Sequence, residues 1–529
     1  MNLSLDYNAD QFDSGWPVHN GEQLQGEQNF SADVIIIGSG AGGGISAEIL
    51  SNAGINVLIV EEGPLRTAKD FRMREDEAYA DLYQEAAARK TKDKAINILQ
   101  GRSVGGSTTV NWTSSFRTPA ATLDYWQQHF ASEHCDSDTL KPWFEQVEQR
   151  LAISPWPVDP NENNRVLRDG AAALGWSYGV IARNVKGCAN LGYCGMGCPM
   201  NAKQSMLTTT IPTALANGAS LLNRVRVTRL IHDGKTVLAA EARAINQHGQ
   251  VKPDTRIHLT AKHFILAGGA INTPALLLRS QVPDPFHRIG QRTFLHPVAI
   301  SVAKMPQEVR ADAGAPQSIY SDQFTFADGV AGRLGYKLEV PPIHPLIAST
   351  ILLRHGQPHA AFMRELKYIN ATLALMRDGF HPESTGGTVA LDRYGDAVLD
   401  YPLNSYLWDG IRRSLLSMTE LQFAAGANEV LPLHLDALPA KNVAEAKAMI
   451  QRLPMQALRM QLFSAHVMGG CAFGEDRTKT VCDSAGRLRY LDNVSVHDGS
   501  LFPTSLGVNP QLTIYALIAK LSSALIARL

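Results

Sequence analysis

The sequence is poor in the features that would commit it to a nucleic acid, a membrane or a disulfide scaffold. Charge of one sign is missing: 49 Lys and Arg are set against 50 Asp and Glu in 529 residues, a net charge of -1. With no basic excess and no Lys/Arg-rich tract there is no electrostatic footprint for a phosphate backbone. Cysteine is scarce, with 6 in the whole chain, too few for a disulfide framework. Uninterrupted apolar runs are also lacking. Phe264 to Leu278 is broken by Gly and Asn, and Leu512 to Leu529 by Lys520 and Arg528, so neither reads as a membrane span. The start, MNLSLDYNADQFDSGW, has no positive n-region and no apolar h-region, hence no secretory signal. The expected setting is cytoplasmic, or periplasmic only if a signal-bearing partner exports the chain. The expected partner is a small neutral or apolar molecule.

What is present is enough apolar sequence, 45% of residues, to bury a large core. The length allows about two to four domains or one interleaved body. Residues 1–31 are polar and read as an irregular arm. Asp33 to Ile37 is then a β-branched run of the kind a buried parallel strand requires. It runs into Gly38-x-Gly40-x-x-Gly43, with Ala41 and Gly42 opening a helical pattern from Ile45 to Ala53. A second strand, Asn56 to Val60, ends at Glu61, which completes a βαβ unit. Gly38 permits the tight turn, Gly40 lets backbone approach a pyrophosphate, and Gly43 lets helix and strand pack closely. The helix start offers N–H groups to phosphates. Glu61 is placed to accept from both ribose hydroxyls, with Glu62 the adjacent alternative. A glycine turn without a ligand is the bland alternative, and the strand, helix and acid around the motif weigh against it. NAD and FAD share this fingerprint, so the motif does not choose between them.

Farther along, Pro64 to Ile96 reads as a solvated helical cover, Gly101 to Ser107 as a Gly-rich loop, and Trp126 to Leu151 as helical. Val225 to Ile231, Glu241 to Ile245 and Arg256 to Leu259 alternate as a small antiparallel meander. His263 to Ala267 is another buried strand, followed by a helix from Thr273 to Arg279. Residues 299–460 carry strand and helix signals without a nucleotide motif. A loop from Asp498 to Pro510 leads into a helix starting at Gln511.

Four stretches, in order, resemble the signatures of the glucose–methanol–choline (GMC) oxidoreductase family. They are Gln100-Gly-Arg-Ser-Val-Gly-Gly-Ser-Thr-Thr-Val-Asn111, Gly268-Gly-Ala-Ile-Asn-Thr-Pro-Ala275, His466-Val-Met-Gly-Gly-Cys471, and Asp498-Gly-Ser-Leu-Phe-Pro-Thr-Ser-Leu-Gly-Val-Asn-Pro-Gln-Leu-Thr513. The resemblance implies FAD and an α/β plus α+β fold. In it a Rossmann-like FAD-binding domain (32–120, 200–298, 462–529) is interleaved with a mixed-sheet substrate-binding domain (121–199, 299–461). It implies cofactor contacts from Gly101, Arg102, Gly105, Gly106 and Ser107, from Asn111 beside the flavin pyrimidine, and from the Val227 main chain at the adenine. It also implies contacts from Asp498 and Gly499, and from Pro510, Gln511 and Leu512 beside the isoalloxazine.

The same resemblance makes His466 the base that takes an alcohol proton while hydride passes to flavin N5, and Asn509 the hydrogen-bond support for the developing alkoxide. His497 falls outside the matched motif and reads as structural. Asn111-Trp112-Thr-Ser-Ser-Phe116-Arg117-Thr-Pro119 and Leu295-His296-Pro297 lean toward the bacterial alcohol dehydrogenase and long-chain alcohol oxidase branch. Pro341 to Ala348, Ile351 to Leu353 and Met455 to Phe463 are apolar enough to line a pocket for a hydrophobic primary or secondary alcohol, the core-packing alternative notwithstanding. The alternatives are a sugar or polyol dehydrogenase, a GMC-fold lyase without net redox, and a non-enzymatic flavoprotein. Oxygen and an electron-acceptor protein such as a cytochrome are both open, with the cysteine loop tilting toward a dehydrogenase.

Cys188, Cys194 and Cys198 are clustered within the 529 residues and lack the fourth ligand of a structural zinc site. Their spacing resembles the large subunit of bacterial FAD-dependent glucose dehydrogenases, where three cysteines hold a [3Fe–4S] cluster. Inert thiols and a Cys194–Cys198 disulfide are the other readings.

Overall fold

The computed structural model describes residues 7–529. Two mixed sheets, each of 8 strands, stand on either side of a deep cavity. The first begins where the β-branched run is densest. Gly26–Ile37 pairs in parallel with Val57–Val60 on one side and Thr255–Leu266 on the other. Ser220–Asn223 continues it beyond Val57–Val60, and Val494–Val496 beyond the C-terminal half of Thr255–Leu266, both in parallel. Val34, Ile35 and Ile36 are fully buried, because helices cover this part of the sheet, as parallel strands require. Ala41–Asn52 packs on the C-terminal helix Gln511–Ile526. The expected meander is present as Val225–His232, Val237–Ala244 and the first half of Thr255–Leu266, paired antiparallel.

The second sheet is built on Val298–Lys304, flanked antiparallel by Ile369–Met376, Glu429–Pro432 and Leu462–Ser464. Tyr336–Glu339 and Ile319–Phe324 extend it, and Ile96–Ile98 joins Leu462–Ser464 in parallel. The helices Glu162–Leu174 and Ser405–Ala424 pack on one face of this sheet. Each starts on an Asn cap, Asn161 and Asn404, whose side chain accepts from the backbone N–H three residues on. The opposite face is turned to the cavity. Alternation along Val298–Lys304 therefore separates Val298, Ile300 and Val302, which line the cavity, from Ser301, which hydrogen-bonds Gln422 of the covering helix.

Three expectations need correction. The N-terminal segment is not irregular: Tyr7–Ser14 is helical and Val18–Asn20 adds a parallel edge strand against Ser220–Asn223. Pro64 to Ile96 is not a solvated helical cover. Its helix is confined to Glu75–Leu82, with a short turn at Gln84–Ala87, and Tyr79, Tyr83 and Arg89 face the cavity. Trp126 to Leu151 is two helices, Ala120–Phe130 and Ser137–Arg150, parted where Ala131 turns left-handed at φ 53°. Among the described residues, no helix is long and apolar enough to cross a membrane.

Candidate active site between the two sheets

A cavity of about 1250 Å³ runs from the carboxyl ends of the first sheet to the apolar face of the second. Ligand pockets for a single small molecule usually fall within about 300–1,000 Å³, so the volume suits a dinucleotide with a substrate beside it. Gly38, Gly40, Ala41, Gly42 and Glu61 line one end. The helix start at Gly40 carries no side-chain cap, which leaves its first N–H groups for an anion. Gly43, Gly105 and Leu512 are not part of the lining. A Cβ on Gly43 would run into the Gly38 carbonyl oxygen, so its role is the close packing of helix on strand. The Gly-rich loop supplies Gly101, Arg102, Gly106 and Ser107. Gly106 has φ +54°, and a Cβ there would lie 2.7 Å from the Cα of Gly40. The two glycine turns are in backbone contact, leaving a cradle that no side chain fills.

Glu61 ends the strand Val57–Val60, and its carboxylate accepts from Ser39 N (3.0 Å), Ser39 Oγ (2.6 Å) and Gly63 N (2.8 Å). Burial pushes its pKa above the usual carboxylate value. Two carboxylate oxygens offer about four lone-pair sites, so it retains capacity for ribose hydroxyls. Glu62 accepts from Arg226 Nε at 2.9 Å and Gln84 Nε2 at 2.7 Å, with Arg102 Nε at 3.5 Å. Although burial opposes ionisation, Arg226 and Arg102 hold Glu62 down at about 2. Val227 lies beside it in the wall.

Asp498 and Gly499 are at the cavity wall, but the Asp498 carboxylate is spent on the protein. It accepts from Gly269 N (2.8 Å), Thr273 Oγ1 (2.6 Å) and both the N–H and hydroxyl of Ser500 (2.8 and 2.5 Å). It ties the Gly268 turn to the Gly499 turn. Gln511 does similar work farther along: Nε2 donates to Ser114 O at 2.8 Å, and Oε1 accepts from Asn111 Nδ2 at 2.6 Å and Tyr515 OH at 3.0 Å. Asn111, Pro510 and Gln511 all reach the lining, with one N–H of Asn111 free of that bond.

His466 and Asn509 both line the cavity where it meets the second sheet. Neighbours that motif reading passed over hold them. His466 Nδ1 lies 3.1 Å from His296 Nδ1. Removal from bulk water, with the Lys337 charge adding, pushes His466 down to about 3. His296 is completely buried and also shifted down. It is held by its own N–H and that of Leu295 on Asp378, both at 3.1 Å. Asn509 Nδ2 donates to Glu339 Oε2 at 3.2 Å, while Oδ1 is buried without a partner. Glu339 is ion-paired with Lys337 at 3.0 Å, and both side chains are buried. Lys337 Nζ also sits 2.9 Å from the Phe116 ring centroid. The one sequence cue for this pair was a Lys-x-Glu alternation inside an apolar strand. His497, by contrast, lies 2.8 Å from Ser46 Oγ of the helix Ala41–Asn52 and is absent from the cavity lining.

The three clustered cysteines lie outside this cavity, around a second space of about 30 Å³. All are free thiols. Among the described residues no group of three or more His, Cys, Asp or Glu is arranged to hold a metal ion. The disulfide is therefore not formed, and the ligand set an iron–sulfur cluster needs is not assembled.

Comparison with known proteins agrees with this architecture. The GMC oxidoreductase family models match residues 79–298 and 382–517. A GMC-type oxidoreductase of Mycobacterium tuberculosis is 32% identical over 501 residues, covering 94% of this chain and 76% of the relative. The long-chain-alcohol oxidase FAO4A of Arabidopsis thaliana is 28% identical over 505 residues, covering 92% of this chain and 67% of the relative. The chain superposes on pyridoxine 4-oxidase from Mesorbium loti with a TM-score of 0.70 at 17% identity, covering 93% of this chain and 99% of that one. The chain belongs to the GMC oxidoreductase family. It is thus an oxidoreductase of the kind that uses FAD, and the glycine cradle, the Glu61 carboxylate at the same end of the cavity and the volume between the sheets suit that cofactor.

Proposed function

We propose that the protein oxidises a hydrophobic primary or secondary alcohol to an aldehyde or ketone. One observation carries the substrate class. Val298 pairs with Leu375, Ile300 with Leu373 and Val302 with Ala371, and all six face the cavity. They pave one wall beside His466 and Asn509, and Phe463, Ile343, Ile347 and Ile351 continue it. A sugar would need hydrogen-bond partners along its length. This wall offers none, whereas each methylene it removes from water is worth about 0.8 kcal/mol. The likeness to long-chain-alcohol oxidases supports the same class.

His466 is the base. Two Nδ1 atoms at 3.1 Å cannot both carry protons unless they repel, so one donates and the other accepts. With His466 Nδ1–H donating, its Nε2 lone pair is free for the alcohol proton. The neutral His296 then stabilises the imidazolium that forms. Asn509 must turn its NH₂ toward Glu339, because an ionised carboxylate only accepts. Its second N–H is left for the substrate oxygen as negative charge develops there. Bound FAD supplies the hydride acceptor. The oxidase names of the relatives support oxygen as the electron acceptor.

Anaerobic addition of alcohols to the FAD-loaded protein tests the reading. Straight-chain alcohols should bleach the flavin, with kcat/KM rising as the chain lengthens, and air should restore the colour. His466→Gln should slow bleaching by about 10²–10⁴-fold. Bleaching by sugars but not by long alcohols would overturn the substrate class, and no bleaching by any alcohol would favour a lyase.

A further inference from the structure

Two cations are buried beside the cysteine loop without a carboxylate to balance them. Arg183 is 1% exposed. Its Nε donates to Thr113 Oγ1 at 2.8 Å, its Nη2 to Cys194 Sγ at 3.6 Å, and its Nη1 has no partner. The guanidinium lies over the Trp156 ring at 4.6 Å. Lys203 is 2% exposed, and its Nζ donates to three backbone carbonyls, those of Thr109 (2.7 Å), Asn111 (2.8 Å) and Cys194 (2.7 Å). Among the described residues, neither cation is ion-paired to Asp or Glu. Burial pushes Lys203 down to about 8, and the groups that work against this are Cys194 and Cys198.

A buried cation without a counter-ion is costly; three carbonyls offset this for Lys203, whereas Arg183 keeps one unpartnered nitrogen and turns another to the Cys194 sulfur. Cys188, Cys194, Cys198 and Arg183 line the same space of about 30 Å³. All three cysteines are partly exposed, whereas Cys135, Cys471 and Cys482 are buried. A partly open thiol in an electropositive niche has the environment of reactive cysteines, and buried thiols in apolar surroundings are inert.

We infer that Cys194 is a peroxide-reactive thiol, resolved by a second cysteine of the same small space. In the first step the Cys194 sulfur attacks one oxygen of hydrogen peroxide. The O–O bond breaks, the S–O bond of a sulfenic acid forms, and the other oxygen leaves as water after taking a proton. The Cys198 or Cys188 sulfur then attacks Cys194, forming S–S as S–O breaks and releasing a second water. Two thiols supply the two electrons that reduce one peroxide, and the oxidant is the peroxide itself. Arg183 Nη2, 3.6 Å from the Cys194 sulfur, is the hydrogen-bond donor placed at the reacting atom.

The loop also reaches the main site. The Gly195 carbonyl accepts from Tyr83 OH at 2.6 Å, and both residues line the large cavity. Lys203 ties the Cys194 carbonyl to that of Asn111.

The test uses the reduced holoprotein and hydrogen peroxide, with thiol titration and peptide mass mapping. Two of the six thiols should be lost in a fast phase, with Cys194 in the new disulfide. Cys194→Ser should abolish that phase, and Arg183→Met should slow it at least tenfold. Should Arg183→Met fail to fold, Arg183→Lys should still fold and show a smaller slowing. Oxidation at the rate of free cysteine, a fast phase that survives Cys194→Ser, or a disulfide lacking Cys194 would each overturn the inference. The measurement does not depend on turnover of any alcohol, so its failure leaves the proposed reaction standing.

Discussion

Asn509 donates from Nδ2 to Oε2 of Glu339 at 3.2 Å, on a carboxylate already paired with Lys337. An amide can be flipped, and a carboxylate beside it removes that choice. Glu339→Gln restores it, because the new amide can offer either an acceptor or a donor. The expected result is a fall in kcat of roughly 10-fold, smaller than the about 10²–10³-fold that follows outright removal of an oriented donor, with KM nearly unchanged and FAD content normal. Glu339→Asp, which keeps the carboxylate, should recover part of the loss. Lys337→Met leaves a buried carboxylate unpaired and should cost about 3–5 kcal/mol of stability. Adding Glu339→Leu to it should return most of that stability while leaving activity low. Denaturant unfolding and steady-state kinetics on the four variants separate these effects.

Stability should fall as the solution is acidified from neutrality toward pH 4. His466 and His497 are pushed down to about 3 and His263 to about 4, each mainly by burial. In the unfolded chain histidine titrates near 6.5. Below that value the unfolded chain takes up protons that the folded chain does not, so acid favours unfolding; above it these groups contribute no pH dependence. Each such group adds a slope of up to about 1.4 kcal/mol per pH unit. His497→Asn should flatten the curve by one proton's worth between pH 6 and 4. The difference between the two proteins cancels Glu61 and Asp498, which burial shifts upward and which work in the opposite direction.

Gly106→Ala should empty the cofactor site without unfolding the protein. At φ +54° the new methyl is strained, and it would meet the Cα of Gly40 at 2.7 Å. The damage falls on the contact between the two glycine turns, away from both hydrophobic cores. Purified protein should carry less than half the flavin of the wild type, with a far-UV spectrum unchanged. Full FAD occupancy would show that the two turns need not touch.

The parts of the site that were legible in the sequence are those built from contiguous chain. A strand, a glycine turn and a helix start are adjacent by construction, and so are His466 with its Met-Gly-x-Cys and Asn509 with its Pro-Gln. His296 was quoted only as a mark of branch, because nothing in Leu-His-Pro reveals that the ring meets His466 across 170 positions. Lys337 and Glu339 lay in a region without motifs. Their meaning depends on which face of the strand looks at Asn509, and register is fixed by pairing with Ile369–Met376. Pro64 to Ile96 misled because its charged residues are read as solvent-facing, while Arg89 turns inward to Gln100 and Asn272. The Val18–Asn20 strand was invisible because three residues bearing His and Asn carry no β signal and are recruited by an open sheet edge.

The paired wall gives the sharpest control over substrate length. Ile300 and Leu373 are cross-strand partners in the middle of the three pairs, 7% and 4% exposed, and both face the cavity. Leu373→Ala removes about three carbons from the wall, and Ile300→Trp adds an aromatic ring. If the alcohol chain lies on this wall, the first should move the best substrate to longer chains and the second to shorter ones. A methylene in a hydrophobic pocket is worth about 1–3 kcal/mol of discrimination, so kcat/KM for mismatched chain lengths should change by about 10-fold or more. The rate with the shortest alcohol should hardly move, because the group that reacts stays beside His466 and Asn509. A uniform loss at every chain length would mean that the strands had repacked, as a core position does when it is cut. A change confined to the long chains would place the hydrocarbon on Val298–Lys304 and Ile369–Met376.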